Sequence, residues 1–141
     1  MATIQIDSEY GYVMMVAIHA FMLNFILTFR ISQLRRRYTI DYPTMSSEEH
    51  ADFNCAQRAH HSTLEELPFF LMHIFLAGFR FPIFAAVFGA IWLVGRIIYA
   101  VGYWSGKPKW RTPGYFISLL FGMLPLHFMA MAAASGLIGL F

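Results

Sequence analysis

An all-α integral membrane protein, built as an up-down bundle of four transmembrane helices, is the fold class this sequence predicts. Three observations predict it. The 141 residues are 58% hydrophobic and only 13% charged, with a mean hydropathy of +0.54, whereas soluble domains carry about 25% charged residues. Apolar stretches recur at the length of roughly 20 residues that a helix needs to cross the hydrocarbon core. Most connections between them are short, which makes sequential helices antiparallel neighbours. A chain this small could not hide fifteen Phe, seven Tyr and three Trp from water, so lipid is the expected solvent.

The helices are expected at residues 10–36, 47–79, 82–105 and 112–139 of a single domain, 1–141. The first apolar stretch, Tyr10 to Phe29, has no formal charge. It starts too late and runs too long for a cleavable signal peptide. Tyr38 to Asp52 contains Pro43, Asp41, Glu48 and Glu49 and reads as a solvated loop. Ser46 or Ser47 is placed to cap the second helix, with the acids near its positive end. That helix begins polar and becomes apolar from Leu67 to Phe79. Arg80-Phe81-Pro82 reads as a tight turn, with Pro82 in the first turn of the third helix. The third stretch, Phe81 to Trp104, is interrupted only by Arg96, and the fourth, Gly114 to Phe141, has no formally charged side chain. Pro68 and Pro125 lie inside helices and are expected to kink them. Ala130, Ala132, Ala133, Ala134, Gly136 and Gly139 suit close helix packing.

Charge is unevenly distributed. The first connection carries Arg30, Arg35, Arg36 and Arg37, the third carries Lys107, Lys109 and Arg111, and the second only Arg80. Asp7 and Glu9 precede the first helix. The positive-inside rule therefore puts the first and third connections in the cytosol and both termini opposite. Orientation explains the basic runs, so they are poor support for nucleic acid. The single Cys55 excludes an intrachain disulfide.

Two polar helix faces carry candidate chemistry. Arg58, Ser62 and Glu65 are spaced i, i+4, i+7 and fall within about 60° of one another at 3.6 residues per turn. Arg96, Tyr99 and Tyr103 are spaced i, i+3, i+7 and form a similar face. Under the orientation above, both lie toward the cytosolic ends of their helices, beside the arginine cluster and Arg111. Plainer readings stand beside this. Arg96 and Glu65 could form a structural intramembrane ion pair. Tyr99, Tyr103 and Trp104 could be an aromatic belt. Arg35 to Arg37 could be a topology signal or a lipid headgroup contact. His60, His61 and His73 supply no repeated ligand box, so no metal is expected. Cys55 has no local base pattern to mark a nucleophile. His19, Asn24 and His127 read as satisfied intramembrane polar groups, and the methionines as filler.

Phe53-Asn54-Cys55-Ala56-Gln57-Arg58-Ala59-His60 followed by Leu64-Glu65 resembles the signature of the MAPEG family, membrane-associated proteins of eicosanoid and glutathione metabolism. Gly95-Arg96-Ile97-Ile98-Tyr99-Ala100-Val101-Gly102-Tyr103 is similar to its microsomal glutathione S-transferase 3 subfamily, as are Arg35-Arg36-Arg37-Tyr38 and Tyr42-Pro43. The resemblance runs from about Glu9 through Gly114 and is weak in the last helix. It implies a homotrimer with glutathione as co-substrate between neighbouring protomers on the cytosolic side, no metal, and an endoplasmic-reticulum membrane, or the inner membrane of a bacterium. By position, Arg58 and Glu65 would hold the charged backbone groups of glutathione, Ser62 would stand beside them, and Tyr99 and Tyr103 would line the pocket. Arg35 and His60 would reach in from the adjacent protomer. Arg111 would stabilise the thiolate, and Arg36 would sit near the electrophile. Ser62 stands where many relatives have asparagine, Glu66 where leukotriene-synthesising relatives have tyrosine, and Pro113 where a basic residue is found.

The chemistry is coherent on its own terms. Glutathione offers two carboxylates, an ammonium and a thiol, and several arginines with one carboxylate complement it. The thiolate is the reactive species, and lowering a thiol pKa of about 8.5 by two units needs about 2.7 kcal/mol. The leading expectation is conjugation of glutathione to lipophilic electrophiles, with lipid hydroperoxide reduction or leukotriene-synthase-type chemistry as variants. Such electrophiles or hydroperoxides, together with membrane lipid, are the expected partners. A non-catalytic lipid-binding scaffold of the same family and a small ion or proton carrier are the alternatives.

Overall fold

The computed structural model describes residues 5–139; Leu140 and Phe141, at the end of the fourth apolar stretch, lie outside them. Helix α1 spans Tyr10–Tyr38. Its buried residues Val13, Ala20, Leu23, Leu27, Ile31 and Leu34 recur at helical spacing and form one face. The helix ends where Thr39 turns left-handed, at φ 53°, and the backbone N–H groups of Thr39 and Ile40 both reach the Arg35 carbonyl.

Helix α2, Ala51–Gly78, begins four residues later than expected, and no side-chain cap holds its start. Ser47 is engaged elsewhere. The Asn54 carboxamide accepts from the Ser47 N–H at 2.8 Å and donates to the Ser47 carbonyl at 2.6 Å. This clasp folds the loop back onto the first turns of α2. Pro68 sits within α2 without ending it. Helix α3, Pro82–Trp104, starts at its proline as expected.

The fourth span is composite. A 3-10 turn, Pro108–Arg111, leads into α4, Thr112–Phe116. A π-helical segment, Ile117–Met123, comes next, and then α5, Leu124–Leu137. The π segment lies directly before Pro125, whose missing N–H breaks the α ladder at that point. The expected disturbance at this proline is therefore a change of helix type. Three of the four helical spans are long and apolar enough to cross a membrane: α1, α3 and Pro108–Leu137. The polar first half of α2 sets that helix apart.

α1 packs on α2 and α3, and the fourth span packs on α3 and α2 from elsewhere around them. Trp92 of α3 is fully buried and stacks on Phe70 of α2, with ring centroids 3.9 Å apart and planes 9° from parallel. Offset aromatic pairs of this kind contribute about 0.5–1.5 kcal/mol beyond their area. The closest helix approach is between α3 and the fourth span. A Cβ on Gly95 would lie 2.5 Å from the Ser118 backbone nitrogen, and one on Gly114 would run into the Tyr99 backbone. Gly114, Ser118 and Gly122, spaced at i, i+4 and i+8, make this seam. The later alanine-rich stretch, expected to do so, buries only Ala130 and Ala133 of its small residues.

Candidate functional site

Two arginine–glutamate pairs organise the polar region of the bundle. The first is Arg58 with Glu65, both on α2, 3.8 Å apart with side chains 58% and 66% exposed. Seven residues are close to two helical turns, so the two side chains share a face, as their spacing predicts. The second joins α3 to α2. Arg96 is fully buried and meets Glu66 at 3.1 Å. The plainer alternative, a structural ion pair of Arg96 with Glu65, is thus replaced by a pair with the next residue, Glu66. A step of one residue turns about 100° around a helix, and that turn directs Glu66 toward α3.

Arg96 is fully enclosed by polar partners. It donates to the Ser62 hydroxyl at 3.1 Å and to the Thr63 hydroxyl at 2.8 Å. Its guanidinium lies 4.1 Å from the centre of the Tyr99 ring. Glu66 also accepts from the Trp92 indole N–H at 3.3 Å. Ser62, expected beside Arg58 and Glu65, is turned inward and buried among these groups. Spacing does not mark Thr63, Glu66 or Trp92 as partners of Arg96. A signal exists in the pattern all the same, since Ser62 and Glu66 lie one turn apart, as do Trp92 and Arg96.

Tyr99 and Tyr103 are buried and meet edge to face at 5.2 Å. They pack with Leu23, Leu27, Ala59 and Ala100, so they belong to the core of the chain and do not form a lipid-facing belt. At the end of α3, Arg111 holds its guanidinium 5.2 Å from the Tyr103 ring and donates to the Pro108 carbonyl at 2.9 Å. Tyr103 shares its apolar cluster with Ala59, the residue next to Arg58 on α2. The structure thereby brings Arg58, Glu65, Tyr103 and Arg111 to one end of the bundle.

The remaining candidates lie on or near α1. Arg35 is buried within its own loop, donating to the carbonyls of Asp41 at 3.3 Å and Thr44 at 2.6 Å and stacking over Tyr42. Arg36 is exposed on the last turn of α1. His60 hydrogen-bonds Thr28 of α1 through Nε2 at 3.1 Å. The loop is pinned at Asp52, whose carboxylate accepts from the Tyr38 hydroxyl at 2.6 Å and the Phe53 N–H at 2.9 Å. Burial alone would raise the Asp52 pKa, but these hydrogen bonds outweigh it and hold the carboxyl below its ordinary value. No cluster of three or more His, Cys, Asp or Glu suited to a metal occurs among the described residues.

Known proteins resemble the chain in sequence. An uncharacterised protein of Synechocystis sp. is 38% identical over 106 residues, covering 74% of this chain and 75% of its own length. Human microsomal glutathione S-transferase 2 is 30% identical over 98 residues, covering 69% of this chain and 63% of the human protein. The model of the MAPEG family matches residues 13–136. With that match over most of its length, the chain belongs to the MAPEG family.

Proposed function

We propose that the chain is a membrane glutathione transferase of the microsomal glutathione S-transferase 3 type, joining glutathione to lipophilic electrophiles. The observation that carries this reading is the open Arg58–Glu65 pair on α2, with Tyr103 in the cluster of the adjoining Ala59 and Arg111 5.2 Å from the Tyr103 ring. An exposed ion pair at 3.8 Å is weak, so its partners are available to a ligand with the opposite charges. The carboxylate of a glutathione residue suits Arg58, and its ammonium suits Glu65. Arg111 is the cation placed to stabilise the thiolate, with Tyr103 and Tyr99 as the wall behind it. Arg36, exposed near the same end, is assigned to the electrophile. Arg96, which donates to Ser62, supports Tyr99 from beneath. Reduction of lipid hydroperoxides is a variant of the same thiolate chemistry.

His60 has a role in this reading only across a protomer boundary, so it includes a homotrimer; Arg35 serves there by holding the loop through the Asp41 and Thr44 carbonyls, since its buried guanidinium is taken up by them. The positive-inside rule supports a site facing the cytosol, in the endoplasmic reticulum or a bacterial inner membrane.

Difference spectroscopy of the thiolate during glutathione titration tests the reading. Arg111→Ala is expected to raise the bound thiol pKa by about two units, a cost of about 2.7 kcal/mol, with little change in binding. Equal thiolate absorbance in the variant removes Arg111 from this role. A lipid-binding scaffold without catalysis is favoured by one other observation, an apolar groove of about 890 Å³ between α1 and α3, lined by Met15, Leu23, Ile26, Leu93 and Ile97 among others. Absence of glutathione binding at millimolar concentration selects the scaffold.

A further inference from the structure

Two histidines from different elements meet away from the Arg58–Glu65 face. His73 of α2 and His127 of α5 both line a space of about 470 Å³ between α2 and the fourth span, and Met123 lines it with them. His73 Nε2 and His127 Nδ1 stand 3.0 Å apart. Met123 precedes His127 by four residues, about one helical turn, so the two are neighbours along one side of the span.

The ring nitrogens are arranged as metal ligands are. His73 Nδ1 lies 2.6 Å from the Phe69 carbonyl, which only accepts, so Nδ1 carries the proton and Nε2 keeps its lone pair. A metal-bound histidine is held in the same way, its second ring N–H given to a carbonyl or carboxylate that fixes tautomer and ring direction. In the observed pair His127 Nδ1 donates to His73 Nε2. Moving the His127 proton from Nδ1 to Nε2 turns a second lone pair toward the first, with no net release of a proton. An imidazole nitrogen binds a first-row metal at about 2.0–2.1 Å, so two of them on one trigonal or tetrahedral ion stand roughly 3.3–3.6 Å apart. The pair at 3.0 Å has to open by only about half an ångström to admit one.

Ligand type selects the ion. Two imidazoles and a thioether are neutral and of soft to borderline character, a set that suits Cu(I). Ca²⁺ and Mg²⁺ require several oxygen ligands. The carboxylate in the lining, Glu66, is engaged by Arg96 at 3.1 Å and by the Trp92 indole N–H at 3.3 Å. Zn²⁺ takes four ligands drawn from thiolate, imidazole and carboxylate, and His73, His127 and Met123 supply only the imidazoles. One positive charge is also less costly than two beside Phe69, Leu119, Leu120 and Leu124.

We infer that His73 Nε2, His127 Nδ1 and the Met123 thioether form a binding site for Cu(I) within the bundle. The third ligand is a thioether, which is why no group of three His, Cys, Asp or Glu marks the place among the described residues. The site is separate from the Arg58–Glu65 face and does not depend on the glutathione reading.

The full chain in nanodiscs, kept reduced with ascorbate and free of glutathione, is titrated with Cu(I) against the chromophoric chelator bicinchoninate. One Cu(I) per chain is expected to withstand the chelator. His73→Phe and His127→Phe should each weaken binding at least about a hundredfold, since even outer-shell partners of a metal contribute about 10–100-fold. Met123→Leu should weaken it less. Cys55→Ser, which removes the one thiol of the chain, should leave it unchanged. X-ray absorption of the unsubstituted protein requires no variant to fold, and it should show two nitrogen neighbours at about 2.0 Å and one sulfur at about 2.3 Å. Loss of all copper to the chelator overturns the proposal. So does binding that survives both histidine substitutions, or that disappears in Cys55→Ser. Retention of Zn²⁺ as tight as that of Cu(I) also overturns it, as an adventitious ion only.

Discussion

Glu65 and Glu66 are neighbours in sequence and opposites in surroundings. Glu65 meets Arg58 at 3.8 Å in the open, and Glu66 meets a fully buried Arg96 at 3.1 Å. The open pair has few other obligations. The closed pair is bound into a network with Ser62, Thr63 and Trp92. A single residue step along α2, about 100° of rotation, thus separates a pair suited to exchanging partners from a pair that fastens α2 to α3. A buried pair is weak support for net stability against an apolar replacement, yet breaking it from one side is costly.

The largest expected effect comes from breaking the closed pair. Arg96→Ala leaves Glu66 without its cation and should destabilise the protein by about 3–5 kcal/mol in thermal unfolding. The double variant Arg96→Met with Glu66→Leu should recover most of that loss. A double variant as unstable as the single would show that the network, and not the charge, carries the fastening. Next is the seam that seats Arg96. Gly95→Ala drives a Cβ to 2.5 Å from the Ser118 backbone and should cost about 1–3 kcal/mol through overpacking. The open pair should behave in the reverse way. Arg58→Ala should change stability by less than about 1 kcal/mol while raising the glutathione requirement roughly tenfold, as for a lost charged hydrogen bond of about 1.5–3 kcal/mol. An unchanged requirement returns Arg58 to a structural role.

The smallest effect is acid sensitivity of the loop. The Asp52 carboxyl has a folded pKa below its unfolded value of about 3.9. Its contribution is therefore fully present above the unfolded value and lost as pH falls through the folded one. Hydrogen exchange around Tyr38 and Phe53 should accelerate only below about pH 4, and Asp52→Asn should flatten that dependence. Acceleration at neutral pH would assign the loop's stability to other groups.

The helices were legible because hydropathy and length dominate a membrane chain, and their boundaries at Tyr10 and Pro82 follow from composition and proline chemistry. The Arg58–Glu65 face was legible because it lies within one helix, where spacing alone sets direction. The partner of Arg96 was not. Periodicity gives angles around each helix and says nothing of the rotation of α2 relative to α3, so Glu65 and Glu66 could not be told apart. The late start of α2 was hidden for a similar reason. Asn54 clasps Ser47 from the far end of a loop, and capping rules consider only the residues at the helix boundary. The Gly114–Ser118–Gly122 seam was readable from small-residue spacing, but the denser alanine run downstream masked it.

The π-helical stretch before Pro125 also sets the register of α5. It accommodates one residue more than the α-helical turn it replaces, so the chain after Met123 is rotated by about 100° from where an unbroken helix would aim it. His127 faces His73, and Leu126, Ala130 and Ala133 face the core, in that shifted frame. Closing the segment to an ordinary α-helix at its present length would swing these side chains by about 100°, whereas removing a single residue between Ile117 and Met123 would let the helix close with them still facing their partners. Residue identity within this segment is therefore held more tightly than length: it can lose a residue and keep the register of α5, but Gly122 has no room for a side chain against Trp92.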